Sequence, residues 1–172
     1  MLVLDAMLIA IAAALSYIER IFPIQAVVPI FGLKLGLANV VTLFALFYLP
    51  FRHTFAIVVT RCVLGMLLAG SPMSLMYSLG GGLCALFIML LVKQGHPKIF
   101  SLYGISLAGA AAHNLGQVTV SALILGDFSI YAYLPFLLIG GLVTGVLIAI
   151  VAHLFFKSFD RTKVMQSIGY SS

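Results

Sequence analysis

The chain has 172 residues, of which 63% are apolar and only 8% charged, with a formal net charge of +5. Soluble domains carry about 25% charged residues, so too little polar side chain is present to coat a water-facing surface. The composition excludes a soluble enzyme or nucleic-acid-binding domain. It predicts an integral membrane protein with one transmembrane domain over 1–172. The basic residues lie between and beside apolar segments, where membrane topology and phospholipid headgroups account for them, so no nucleic-acid partner is expected.

A bilayer core of about 30 Å needs roughly 20 helical residues. Six helical segments are predicted, at about 2–21, 35–50, 54–70, 73–93, 101–125 and 132–157, giving an all-α six-helix membrane bundle. The first begins almost at Met1 with no basic region before it, so no cleavable signal peptide is expected. Within it, Ala6, Ala10 and Ala14 repeat every four residues beside Ala13. Such a face packs inside the bundle or docks a second membrane protein. Glu19 falls at its far end. Residues 22–33, FPIQAVVPIFGL, hold two prolines and read as a loop or re-entrant lid.

The second segment opens with Lys34 and carries Asn39 five residues on, about 7 Å deeper. It ends at Pro50-Phe51-Arg52-His53. The third holds Arg61, predicted about 10 Å from its start, with no charged neighbour on its own helix. These two segments are short for membrane spans. Gly70-Ser71-Pro72 leads into the fourth, where Tyr77 reads as an interface anchor and Gly80 to Gly82 as a close-packing or kink site. Gln94-Gly95-His96-Pro97-Lys98 leads into the fifth. There His113 and Gln117, four apart, share a face that Asn114 flanks. Gly126-Asp127 turns the chain into the sixth, whose Gly140, Gly141 and Gly145 form a second small-residue face. The tail, KSFDRTKVMQSIGYSS, reads as a solvated basic end that meets anionic headgroups.

Six spans put both termini on one side together with Arg52, Lys93, Lys98, Lys157, Arg161 and Lys163. Only Arg20 and Lys34 lie on the other. The positive-inside rule places both termini in the cytoplasm of a multi-pass protein. Lys34, Asn39, Arg61, His113, Asn114 and Gln117 then all fall in the middle or outer half of the membrane. Ionisable groups there face a protein interior or a watery cavity. One reading is an outward-facing site for a small anionic solute. Arg61 supplies bidentate donors, Lys34 a rim charge, and the amides and His113 orientation. The other is structural: Arg61 pairs with Glu19, the amides clamp helices together, and Lys34 snorkels.

Several chemistries lack a local basis. There is no Walker A motif, the four acidic residues are scattered, and no Ser-His-Asp set assembles. His53, His96 and His153 lie far from His113, and Cys62 and Cys84 stand 22 residues apart without a CxxC pattern. No metal site, disulfide, cofactor or autonomous catalytic activity is expected.

The strings GLKLGLANVVTLFAL, TRCVLGMLLAG, YSLGGGL and GAAAHNLGQ resemble the Gx transporter family, also labelled heptaprenyl diphosphate synthase component I. That family is similar to the substrate-binding S components of energy-coupling factor (ECF) transporters. The resemblance implies a six-helix subunit of the bacterial plasma membrane that binds a vitamin-like or precursor molecule from outside. It implies docking, through the Ala6, Ala10 and Ala14 face, on a transmembrane coupling subunit driven by ATPase subunits. The synthase label implies an alternative, a non-catalytic accessory subunit of prenyl diphosphate synthesis.

Overall fold

The structure, a computed structural model, describes residues 2–19, 34, 36–69 and 71–161. The predicted lid at 22–33, together with Arg20, Lys163 and the end of the tail, lies outside the described residues. Among these the chain is an all-α bundle of six helices and no strands: α1 (Leu2–Ile18), α2 (Asn39–Tyr48), α3 (Phe51–Ala69), α4 (Pro72–Lys93), α5 (Leu102–Leu125) and α6 (Leu134–Arg161). A 3-10 helix, Phe128–Tyr133, precedes α6.

The helix boundaries have local causes. Leu49 is extended (φ −120°, ψ 153°), the geometry a following proline imposes, and this stops α2. The Pro50 carbonyl then accepts from the backbone N–H groups of His53 and Thr54. As a result α3 starts three residues earlier than the predicted 54. Arg52 and His53 belong to its first turn rather than to a loop. Pro72 occupies the first turn of α4, where its missing N–H costs no hydrogen bond. The Ser101 hydroxyl caps α5 by accepting from Gly104 N at 3.2 Å. Gly126, at φ +66°, ends α5 in the left-handed conformation, which glycine adopts without strain.

Helix α2 is shorter than predicted. Its first regular residue is Asn39, and residues 36–38 form a turn that Gly36 opens at φ +89°. Ten residues span only about 15 Å, half of a bilayer core. Among the described residues three stretches are long and apolar enough to cross a membrane: Phe51–Leu68, Pro72–Lys93 and Phe128–Leu154. Helix α5 is equally long, but buried polar residues dilute its apolar character. It lies between α4 and α6, and twelve of its 24 residues are buried.

Small residues set the close approaches. At Gly80 a Cβ would meet the Val120 side chain and lie 3.2 Å from the Gly116 carbonyl. At Gly116 it would lie 2.6 Å from the Gly80 carbonyl. Backbone therefore meets backbone where α4 crosses α5. On α6, Gly141 admits the Asn114 amide and Gly145 admits Leu107 and Ala110, so this small-residue face packs inside the bundle. The α1 face does not. Leu8, Ala12, Ala13 and Ser16 turn inward, while Ala6, Ala10 and Ala14 are exposed, which removes internal packing as their role. Tyr77 is also corrected. It is 3% exposed and belongs to the core rather than to a lipid-facing interface.

The end of the bundle that holds the first turns of α1 and α3 is fastened by polar contacts. Asp5 and His53 pair at 2.7 Å between α1 and α3. Lys93 donates to the Leu46 carbonyl at 2.7 Å, near the C-terminus of α2, with its ammonium 4.8 Å from the Phe47 ring centre. A cation there satisfies an open carbonyl and the helix dipole together. An apolar groove of about 250 Å³ separates α1 from α2 and α6, lined by residues including Leu4, Leu8, Leu15, Val40, Phe44 and Val151.

The glycine crossing yields a test. Gly116→Ala forces a methyl against the Gly80 carbonyl and is expected to destabilise the protein by about 1–3 kcal/mol. Gly104→Ala meets only ordinary contacts at 3.6 Å or more and should be neutral. Thermal unfolding of both variants in detergent measures the difference.

Candidate functional site

The far end of α1, the turn before α2, and the middles of α3, α4 and α5 enclose one polar chamber. Ser16, Glu19, Lys34, Gly36, Arg61, Cys62, Ser78 and His113 line a cavity of about 10 Å³, the lower limit for one water.

The segment before α2 is held from two sides. Gln117 reads the Lys34 backbone as a strand neighbour would: Lys34 N donates to Gln117 Oε1 at 2.9 Å, and Gln117 Nε2 donates to the Lys34 carbonyl at 2.8 Å. Glu19, which follows α1 directly and is 2% exposed, accepts from Leu37 N at 2.6 Å. A carboxylate beside the C-terminal end of its own helix is disfavoured by that helix dipole. At the first N–H groups ahead of α2 it is favoured. Lys34 and Arg61 also act on Glu19 electrostatically. The Lys34 ammonium donates to Ser78 Oγ on α4 at 3.1 Å.

Arg61 sits ten residues into α3, about 15 Å from its start, because α3 begins earlier than predicted. It is 4% exposed. Its Nη2 donates to Asn39 Oδ1 at 3.0 Å, so its direct partner is the α2 amide and not Glu19. The missing Cβ of Gly82 makes room for this fork, since one there would lie 3.1 Å from Nη2. His113 is wedged between two other glycines. A Cβ at Gly36 or at Gly81 would lie 2.8 Å from its ring.

Of the six predicted site residues, Lys34, Asn39, Arg61, His113 and Gln117 converge here. Asn114 does not. One residue on from His113 it points about 100° round α5 and donates from Nδ2 to the Leu137 carbonyl at 2.6 Å. It clamps α5 to α6, as the structural reading expects of an amide. Gln117 clamps as well, but it holds the chamber wall. Ser16, Glu19, Gly36, Cys62 and Ser78 also line the cavity and were not among the predicted site residues. Ser16 follows Ala12 by four residues on one helical face, a legible signal. Ser78 and Gly36 carry none beyond sitting beside Tyr77 and Lys34.

Two buried donors in and beside the chamber have no hydrogen-bond partner, Arg61 Nε and Asn39 Nδ2, and His113 turns one ring nitrogen toward the Gly81 backbone. Leaving such atoms unpaired costs about 1–3 kcal/mol each. The arrangement therefore has donors to spare, within reach of a small anionic or carbonyl group. No group of three or more His, Cys, Asp or Glu side chains suited to a metal ion occurs among the described residues.

An all-α membrane-type bundle with a buried cationic chamber is the class of protein that fold and site define. The profile of the family described as heptaprenyl diphosphate synthase component I matches residues 8–155, and the chain belongs to that family. No curated protein and no solved structure matches it.

Gln117→Leu keeps the side-chain volume and deletes both bonds to the Lys34 backbone. It is expected to lower stability by roughly 2 kcal/mol and to speed hydrogen exchange at the Lys34 and Leu37 amides, while the α6 amides keep their protection.

Proposed function

We propose that the chain is the solute-binding membrane subunit of an uptake system similar to the ECF transporters. It sits in the bacterial plasma membrane with both termini cytoplasmic and the chamber opening outward, and it has no catalytic activity of its own. Lys34, Asn39, Arg61 and His113 contact a small anionic solute, and Gln117 holds the wall behind Lys34. One observation carries this reading: a buried guanidinium shares a chamber with a buried imidazole and leaves its own Nε unpaired. A purely structural cluster would spend its donors on the protein.

The orientation is supported by the basic residues Arg52, Lys93 and Lys98, which lie at the end of the bundle opposite the chamber. The exposure of Ala6, Ala10 and Ala14 supports α1 as the face that docks on a transmembrane coupling subunit with its ATPases. A small-residue stripe lets another helix approach closely.

The family description favours a second reading, an accessory subunit of prenyl diphosphate synthesis. The apolar groove between α1, α2 and α6 suits an isoprenoid chain. On that reading a soluble synthase subunit co-purifies, and deletion of this chain abolishes synthase activity while solute uptake is untouched.

Native mass spectrometry of the detergent-solubilised protein separates the two. A retained small-molecule mass is expected in the wild type. Arg61→Ala should lose it, and Arg61→Lys should hold it weakly, because an ammonium cannot reproduce the two-pronged contact. Unchanged retention by Arg61→Ala would remove Arg61 from the site.

A further inference from the structure

Resting on the solute-binding reading, we infer that the chamber selects a singly charged carboxylate with a hydrogen-bonding group near its acid, rather than a phosphate ester or a cation. The first ground is charge. Among the described residues the charged groups lining the cavity are Lys34, Arg61 and Glu19, two cations and one carboxylate, which leaves one positive charge to balance. Cys62 and His113 add polar atoms rather than fixed charges. Glu19 is built in, since its carboxylate holds Leu37 N and is buried. A dianionic phosphate ester would leave the chamber with surplus negative charge. A cation would leave it with two positive charges or more. Either imbalance is costly away from water.

The second ground is the supply of hydrogen bonds. Arg61 Nε–H and an Asn39 Nδ2–H are two unspent donors on side chains already bonded to each other. A carboxylate has two oxygens to satisfy them. His113 offers one donor and one acceptor when neutral; Nδ1 faces the Gly81 backbone, which leaves Nε2 for a solute. It calls for a hydroxyl, amide or ring nitrogen on the same solute. The third ground is space. The Asn39 amide and the His113 ring both pack against Gly36, where a Cβ would lie 2.7 Å and 2.8 Å from them, so the absent side chain is what lets these two groups stand side by side at the chamber. A cavity of about 10 Å³ has room for about one water, so the chamber must widen before it takes even the acid group. The flexible Lys34 stem draws back from Ser78 to admit it.

The test uses three probes built on one ring: benzoate, phenyl phosphate and benzylamine, titrated against the detergent-solubilised full chain with the unfolding temperature as readout. Benzoate is expected to stabilise the wild type and to bind at least about tenfold more tightly than phenyl phosphate. In Glu19→Gln the balance gains one positive charge, and the ranking should reverse toward phenyl phosphate. Stronger stabilisation of the wild type by phenyl phosphate, benzylamine or chloride alone overturns the carboxylate assignment and leaves the solute-binding reading standing. A folded Glu19→Gln with unchanged ranking overturns the charge argument. Silence of all three probes, with no solute retained by the purified protein, overturns both readings. Should Glu19→Gln fail to fold, the wild-type ranking decides alone.

Discussion

A guanidinium buried among apolar helices is the constraint around which this bundle is arranged. Removing such a charge from water costs several kcal/mol unless partners replace the lost hydration. Arg61 has no partner on its own helix, so other elements are brought to it. Asn39, the first residue of α2, accepts from it. Gly82 removes the side chain that would obstruct the fork. Glu19 lends its negative charge while it holds the turn ahead of α2. The shortness of α2 follows from this. Its N-terminal end stops where Asn39 can meet Arg61, and the preceding residues turn away through Gly36.

Helix α5 supplies the second half of the arrangement. Three of its polar residues engage backbone from different parts of the chain: Gln117 the Lys34 segment, Asn114 the Leu137 carbonyl, and Ser106 the Gly145 carbonyl. Its small residues let α4 and α6 approach to backbone contact. A long helix rich in polar side chains therefore has half of its residues buried. Within an apolar surround, polar side chains act as helix glue, and that holds when other protein elements shield them from lipid. His113 differs from these neighbours on α5 in that its ring lies between Gly36 and Gly81 and lines the chamber. It marks where the polar spine changes from fastening helices to facing a chamber.

Much of this was legible in the sequence. The six helices followed from apolar length and from proline and glycine punctuation, and the convergence of Lys34, Asn39, Arg61, His113 and Gln117 followed from depth arithmetic. Three failures have physical reasons. The start of α3 moved because Pro50 acts as a carbonyl cap for the next helix rather than as a spacer. Asn114 was assigned to the site because depth along a helix is readable while direction around it depends on which neighbour packs there. The structural alternative paired Arg61 with Glu19, whereas the Asn39 amide is what accepts from it. The Ala6, Ala10 and Ala14 spacing was plain in the sequence, but only the fold showed that it faces outward.

The central claim is that Arg61 is held by Asn39 across α2 and α3 inside a shared polar chamber. A double-mutant cycle reads that contact directly: Arg61→Met, Asn39→Leu and the double variant, with unfolding free energies measured in the same detergent. The account predicts a coupling energy of about 1–3 kcal/mol, as for a buried charged hydrogen bond. Strict additivity of the two single effects would contradict it, leaving the guanidinium without its anchor and the chamber without its floor.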